Sequence, residues 1–98
     1  MDAQNILATL RRHEAALRER GVRHAALFGS VARGDDGAGS DIDILVEFDP
    51  AAHVTLFDYV GVKDFISGLF TLPVDVIDRE GLKPHLRQRS AQEAIYAF

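Results

Sequence analysis

Two aspartates one residue apart, Asp41 and Asp43, open the apolar segment Ile42-Asp-Ile-Leu-Val-Glu-Phe48. Residues i and i+2 of a strand point to the same side, so the two carboxylates project together. Like charges held that close repel and raise a pKa unless a cation lies between them. Such a pair suits Mg²⁺ or Mn²⁺, which commonly take one or two protein carboxylates and fill further positions with substrate phosphates. The plainer alternative is a strand end whose aspartates simply face water. A calcium loop is excluded, because Ile44 and Leu45 occupy positions that call for oxygen ligands and a glycine.

Upstream, the apolar segment 22–28 breaks at Gly29-Ser30. A strand-to-helix turn leaves backbone N–H groups unpaired, and the positive end of the helix dipole favours an anion. Glycine lets a phosphate approach the backbone, and the Ser30 hydroxyl can donate to a phosphate oxygen. Ser30 serves equally well as a helix N-cap with no ligand. A Walker loop is excluded, since no Gly-Lys-Ser/Thr follows. A third carboxylate, Asp75, stands between Val74 and Val76 in an apolar run. Burying it alone is costly, so a cation or partner is expected. Were its strand to lie beside that of Asp41 and Asp43, the three carboxylates would form one cluster able to hold two metals. Asp75 would then also polarise an attacking hydroxyl. Asp78 is its rival, expected past the strand end and solvated.

The elements that must position these groups follow from periodicity. Residues 3–20 read as a helix through Ile6, Leu10, His13 and Leu17, ended by Gly21. His13 on that stripe reads as a packed or boundary histidine. A first strand is expected over 22–28, a helical turn over 31–33 and a loop over 35–39. Ile42, Ile44, Val46 and Phe48 alternate with Asp41, Asp43, Leu45 and Glu47, which predicts a second strand ended by Asp49-Pro50. A helix over 55–70 carries Tyr59, Val62, Ile66 and Leu69, widened by Leu56, Phe65 and Phe70. A third strand over 72–77 tolerates Pro73 at its start. A last helix begins near Pro84, with Leu82, Leu86 and Ala94 inward, and residues 95–98 are its end or an extended tail. The order α-β-β-α-β-α makes an α/β (α+β) fold: a small sheet with helices on one face.

Bulk properties narrow the classes. The 98 residues fit one domain, 1–98, and a composition 47% hydrophobic and 27% charged supports a real core. With no cysteine there is neither a disulfide framework nor a thiolate metal site. No signal-peptide pattern and no apolar run near the roughly 20 residues of a membrane span are present; a cytoplasmic location is expected. A formal charge of −4 offers no global field for nucleic acid. The arginines at 11, 12, 18, 20 and 23, and Lys83, Arg87 and Arg89, are interspersed with acids and read as solvated helix faces.

Gly29-Ser30, ten intervening residues and Asp41-Ile-Asp43 resemble the Gly-Ser-x10-Asp-x-Asp pattern of the polymerase-beta-like nucleotidyltransferases. The fuller text is similar to their minimal nucleotidyltransferases: Phe28-Gly-Ser-Val-Ala-Arg-Gly, Ser40-Asp-Ile-Asp-Ile-Leu-Val, Pro73-Val-Asp-Val-Ile and Leu82-Lys-Pro. The resemblance covers nearly the whole chain. It implies a mixed sheet with flanking helices and ATP with Mg²⁺ as donor. It also implies a metal triad of Asp41, Asp43 and Asp75, with Gly29 and Ser30 on the triphosphate and Arg33 as a further phosphate contact. Many such proteins are antitoxins of a HEPN-domain ribonuclease toxin and add AMP to a toxin tyrosine, which implies a hetero-complex. Larger members carry a helical substrate domain that is absent here, so the expected acceptor is a protein that docks. Two rivals stand beside this reading. One is an antitoxin that neutralises by covering its partner, using apolar residues such as Phe65, Phe70, Tyr96 or Phe98, for each of which a core role is the plainer expectation. The other is a transferase acting on a small molecule.

Overall fold

The computed structural model describes residues 2–29, 32 and 41–98. Its elements are α1 (Ala3–Arg12), α2 (Glu14–Glu19), β1 (Val22–Phe28), β2 (Ile42–Phe48), a 3-10 turn (Pro50–Ala52), α3 (Leu56–Ser67), β3 (Val74–Asp78), a second 3-10 turn (Arg79–Gly81), α4 (Pro84–Glu93) and β4 (Ile95–Tyr96). The four strands form one mixed sheet in the order β3-β2-β1-β4. β1 is antiparallel to both β2 and β4, whereas β2 and β3 run parallel. Parallel neighbours need a crossover, and α3 lies in the connection that supplies it.

β1 has the expected bounds and β2 begins one residue later than the alternation from Asp41 predicts; strong breakers cut off both apolar segments. Before β1, Gly21 adopts φ +94°, and a β-carbon there would come within 2.9 Å of Val54 Cγ2. After β2, Asp49 caps the turn that Pro50 begins by accepting from the Ala51 N–H at 2.9 Å. Ala25 and Leu27 of β1, Ile42, Ile44 and Val46 of β2, and Val76 of β3 are buried on one face. Ile6, Leu7 and Leu10 of α1, Leu17 of α2, and Val62 and Ile66 of α3 close over them as one core. On the opposite face Ala26 and Leu45, partners in register, are buried as well.

Three expectations are corrected. The first helix is two helices, broken at His13 (φ −106°, ψ 15°). The His13 ring stands edge-on to Phe65, with centroids 5.9 Å apart, and its Nδ1 lies 2.9 Å from the Thr9 carbonyl oxygen. That agrees with a packed boundary histidine. Leu56, expected on the inner stripe of α3, is 76% exposed. The stripe is carried by Val62 and Ile66, with Phe70 beyond the helix end. The third strand begins two residues later than expected and takes in Asp78, which is half-buried and caps the second 3-10 turn through the Glu80 N–H at 3.0 Å.

Residues 95–98 are extended rather than helical, and β4 pairs with β1 through Ala26↔Tyr96 and Leu27↔Ile95. The tail is held by arginines that read as solvated in the sequence. Arg11 Nε donates to the Ala97 carbonyl at 2.9 Å, and the Arg18 guanidinium lies 5.0 Å from the Phe98 ring centroid. The expected turn at 31–33, the loop at 35–39 and the Leu86 side chain fall outside what is described. Ala32 alone is seen there, helical and packed against the core.

Candidate active site

The site lies where β1 ends and where β2 and β3 begin. In the antiparallel register Phe28 faces Asp43, and in the parallel register Asp43 faces Asp75. Gly29, directly after β1, has φ +80°, a left-handed conformation that favours glycine. A β-carbon on Gly29 would collide with Asp43 Oδ2 and sit 3.1 Å from Asp43 Cγ. The Asp43 carboxylate therefore rests against the bare backbone of the turn expected to receive phosphate. The turn and the carboxylate meet only because residue 29 has no side chain.

Asp41 stands immediately before β2 and is exposed, while Asp43 is half-buried. Two residues apart, they lie on the face opposite the fully buried Ile42 and Ile44. Asp75 is exposed, which corrects the expectation of a carboxylate in an apolar setting. β3 is an edge strand, so apolar neighbours in sequence do not enclose Asp75. What links it to the site is register. Ser30 and Arg33 fall outside the described residues.

The donor set suits a hard divalent cation: three carboxylates at one end of a sheet, two of them opposed across adjacent strands. Among the described residues, no group of three carboxylates or imidazoles stands close enough together to hold an ion. The register aligns Asp43 with Asp75, and Asp41 precedes Asp43 by two residues on the same side. Asp78 sits at the far end of β3, opposite Val46, and takes no part.

A mixed sheet with a glycine turn pressed against one of two facing aspartates places this molecule among the nucleotidyl-transferring folds. The family model described as "Nucleotidyltransferase domain" matches residues 10–97, and the chain belongs to that family. It is 33% identical over 94 residues to the protein adenylyltransferase MntA of Thermococcus cleftensis, covering 95% of this chain and 93% of that one. Among solved structures, one described as a "putative minimal nucleotidyltransferase" superposes with a TM-score of 0.74 at 40% identity, covering 97% of this chain and 95% of that one. The MNT antitoxin complexed with a tri-AMPylated Shewanella oneidensis HEPN toxin superposes with a TM-score of 0.66 at 17% identity, over 95% of this chain and 71% of that structure's chain; this likeness is one of fold. The molecule is a nucleotidyltransferase.

Proposed function

We propose that this nucleotidyltransferase is a protein adenylyltransferase that moves AMP from ATP to a hydroxyl, taken to be a tyrosine, of a HEPN-domain ribonuclease toxin and acts as its antitoxin. The observation that carries the reading is the Gly29–Asp43–Asp75 alignment, a phosphate turn beside facing carboxylates. The choice of AMP and of a protein acceptor is supported by the name of the T. cleftensis relative. The choice of a HEPN partner is supported by the AMPylated toxin in the complex of like fold, and that of ATP by a toxin–antitoxin complex of the same fold holding AMP-PNP.

In this reading the Gly29-Ser30 turn holds the β- and γ-phosphates and Arg33 adds a further contact, so the α-phosphorus is presented to the acceptor. Asp41, Asp43 and Asp75 are the residues that would hold Mg²⁺ or Mn²⁺, and the ion would supply charge neutralisation at the phosphates and Lewis acidity toward the attacking oxygen. The acceptor oxygen forms a bond to the α-phosphorus in line with the bond that breaks to pyrophosphate, and Asp75 takes the hydroxyl proton. Catalysis is chiefly positioning and electrostatics. Antitoxin and toxin form a hetero-complex in the cytoplasm.

The test is incubation with the HEPN partner and ATP labelled at the α- or the γ-phosphate. Label on the partner from the α-position only is expected, and it should vanish with Asp41→Asn or Asp43→Asn. Full transfer by either variant would remove the metal assignment. Neutralisation of the toxin by the Asp43→Asn variant, without ATP, would favour the covering antitoxin instead.

A further inference from the structure

The end of the sheet away from the aspartates carries a concave feature. Phe48, Val54, Leu56 and Tyr59 form the apolar floor of an open groove of about 640 Å³. Asp49, Asp78 and Glu80 also line it, and among the described residues no lysine or arginine does. The apolar surface continues out of the groove along α3, where Leu56 is 76%, Phe57 88% and Val60 47% exposed. A contiguous apolar patch rimmed by charge marks an interaction surface on a soluble protein. Asp49 and Asp78 each accept one backbone N–H, which leaves their charge in place. Glu80 is partly offset by Arg79 at 3.7 Å and Arg87 at 3.6 Å, but its side chain is 64% exposed.

Charge decides what fits. Carboxylates at the groove repel phosphate backbones and anionic lipid headgroups. A second copy docked groove to groove about a two-fold axis would bring two sets of these carboxylates together, with no lysine or arginine among the described residues of either lining to pair them. An apolar segment that also carries lysine or arginine satisfies both floor and rim.

We propose that this groove, with the adjoining Leu56, Phe57 and Val60, is the docking site for a basic, apolar segment of the acceptor protein. The proposal rests on the reading of that acceptor as a HEPN-domain partner. Phe48 lies five residues along β2 from Asp43, about 17 Å at the rise of a strand. The groove therefore stands apart from the aspartates. It grips the acceptor at one end of the sheet while the hydroxyl is presented at the other, which gives the transferase a means of selecting a protein.

The test is titration of the HEPN partner into wild type, the Leu56→Ser/Phe57→Ser double variant and Glu80→Lys, without ATP, at low and high salt. Each variant should lose at least about tenfold in affinity, and wild-type binding should weaken with salt. AMP-PNP affinity should be unchanged in both, and in turnover KM for the partner should rise while kcat holds. Wild-type affinity in the double variant overturns the proposal. So does a wild-type chain that fails to bind the partner, or one whose self-association is lost in the double variant while partner affinity is kept. Binding lost on substitution while wild type transfers no AMP would leave the docking site standing and remove the transfer reading. Transfer at unchanged KM by the double variant would do the reverse.

Discussion

At the scale of single residues the site depends on a side chain that is not there. Gly29 needs its left-handed φ of +80° and needs the space that Asp43 occupies. Gly29→Ala should therefore cost about 1–3 kcal/mol from strained backbone. It should also displace the Asp43 carboxylate and lower AMP transfer by about 10²-fold, the scale of a misplacement near 1 Å. Urea unfolding and initial rates measured on the same preparation separate the two effects. Asp75→Asn should behave differently, since Asp75 is exposed on an edge strand. We expect unchanged stability, loss of turnover and partial retention of ATP binding by calorimetry; wild-type turnover would remove Asp75 from the site. Asp41 and Asp43 were legible as a same-side pair from spacing alone. The apolar run around Asp75 predicts a setting that the fold does not give it, because a strand's neighbours cannot be read from one sequence; the family pattern at Pro73-Val-Asp-Val-Ile and the register with Asp43 are what keep it beside the pair.

At the scale of elements, the legible parts are those whose ends are set locally. β1 and β2 lie between Gly21 and Pro50; the apolar content of the first and the alternation of the second were sufficient. The break at His13 was not legible, because the Leu10, His13, Leu17 stripe runs through it unbroken and the ring's contact is with Phe65, far along the chain. Leu56 shares the helical spacing of the core yet lies beyond its edge, so periodicity could not tell an inner face from an exposed one. α3 is fixed at its start by a reciprocal cap: the Asp58 N–H donates to Thr55 Oγ1 at 3.2 Å, and Asp58 Oδ2 accepts from the Thr55 N–H at 2.9 Å. Thr55→Ala should cost about 1 kcal/mol in urea unfolding. Hydrogen bonds from the Thr55 backbone, then its side chain, hold the Asp58 carboxyl below its ordinary value of 3.8. A depressed folded-state pKa stabilises at pH above the unfolded value and is lost as pH falls through the folded one. The stability gap between wild type and Asp58→Ala should thus be full at pH near 7 and narrow below 3.8; a gap that widens in acid would contradict the cap.

At the scale of the whole molecule the two ends of the sheet carry different surfaces. The aspartates and Gly29 stand at one, and the apolar groove with its carboxylates at the other. The first was legible because its chemistry is written in residue types at fixed spacing. The second was not, because Phe48, Phe57 and Asp78 come from three elements that only the fold assembles. If the groove docks the acceptor as proposed, raising ionic strength should increase KM for the partner more than KM for ATP. The most direct test of the central claim is the intact mass of the HEPN partner after incubation with this protein, ATP and Mg²⁺. The account predicts a gain in whole multiples of AMP, absent with the Asp43→Asn variant. A partner that binds but gains no mass, or gains the same mass from the variant, would contradict it.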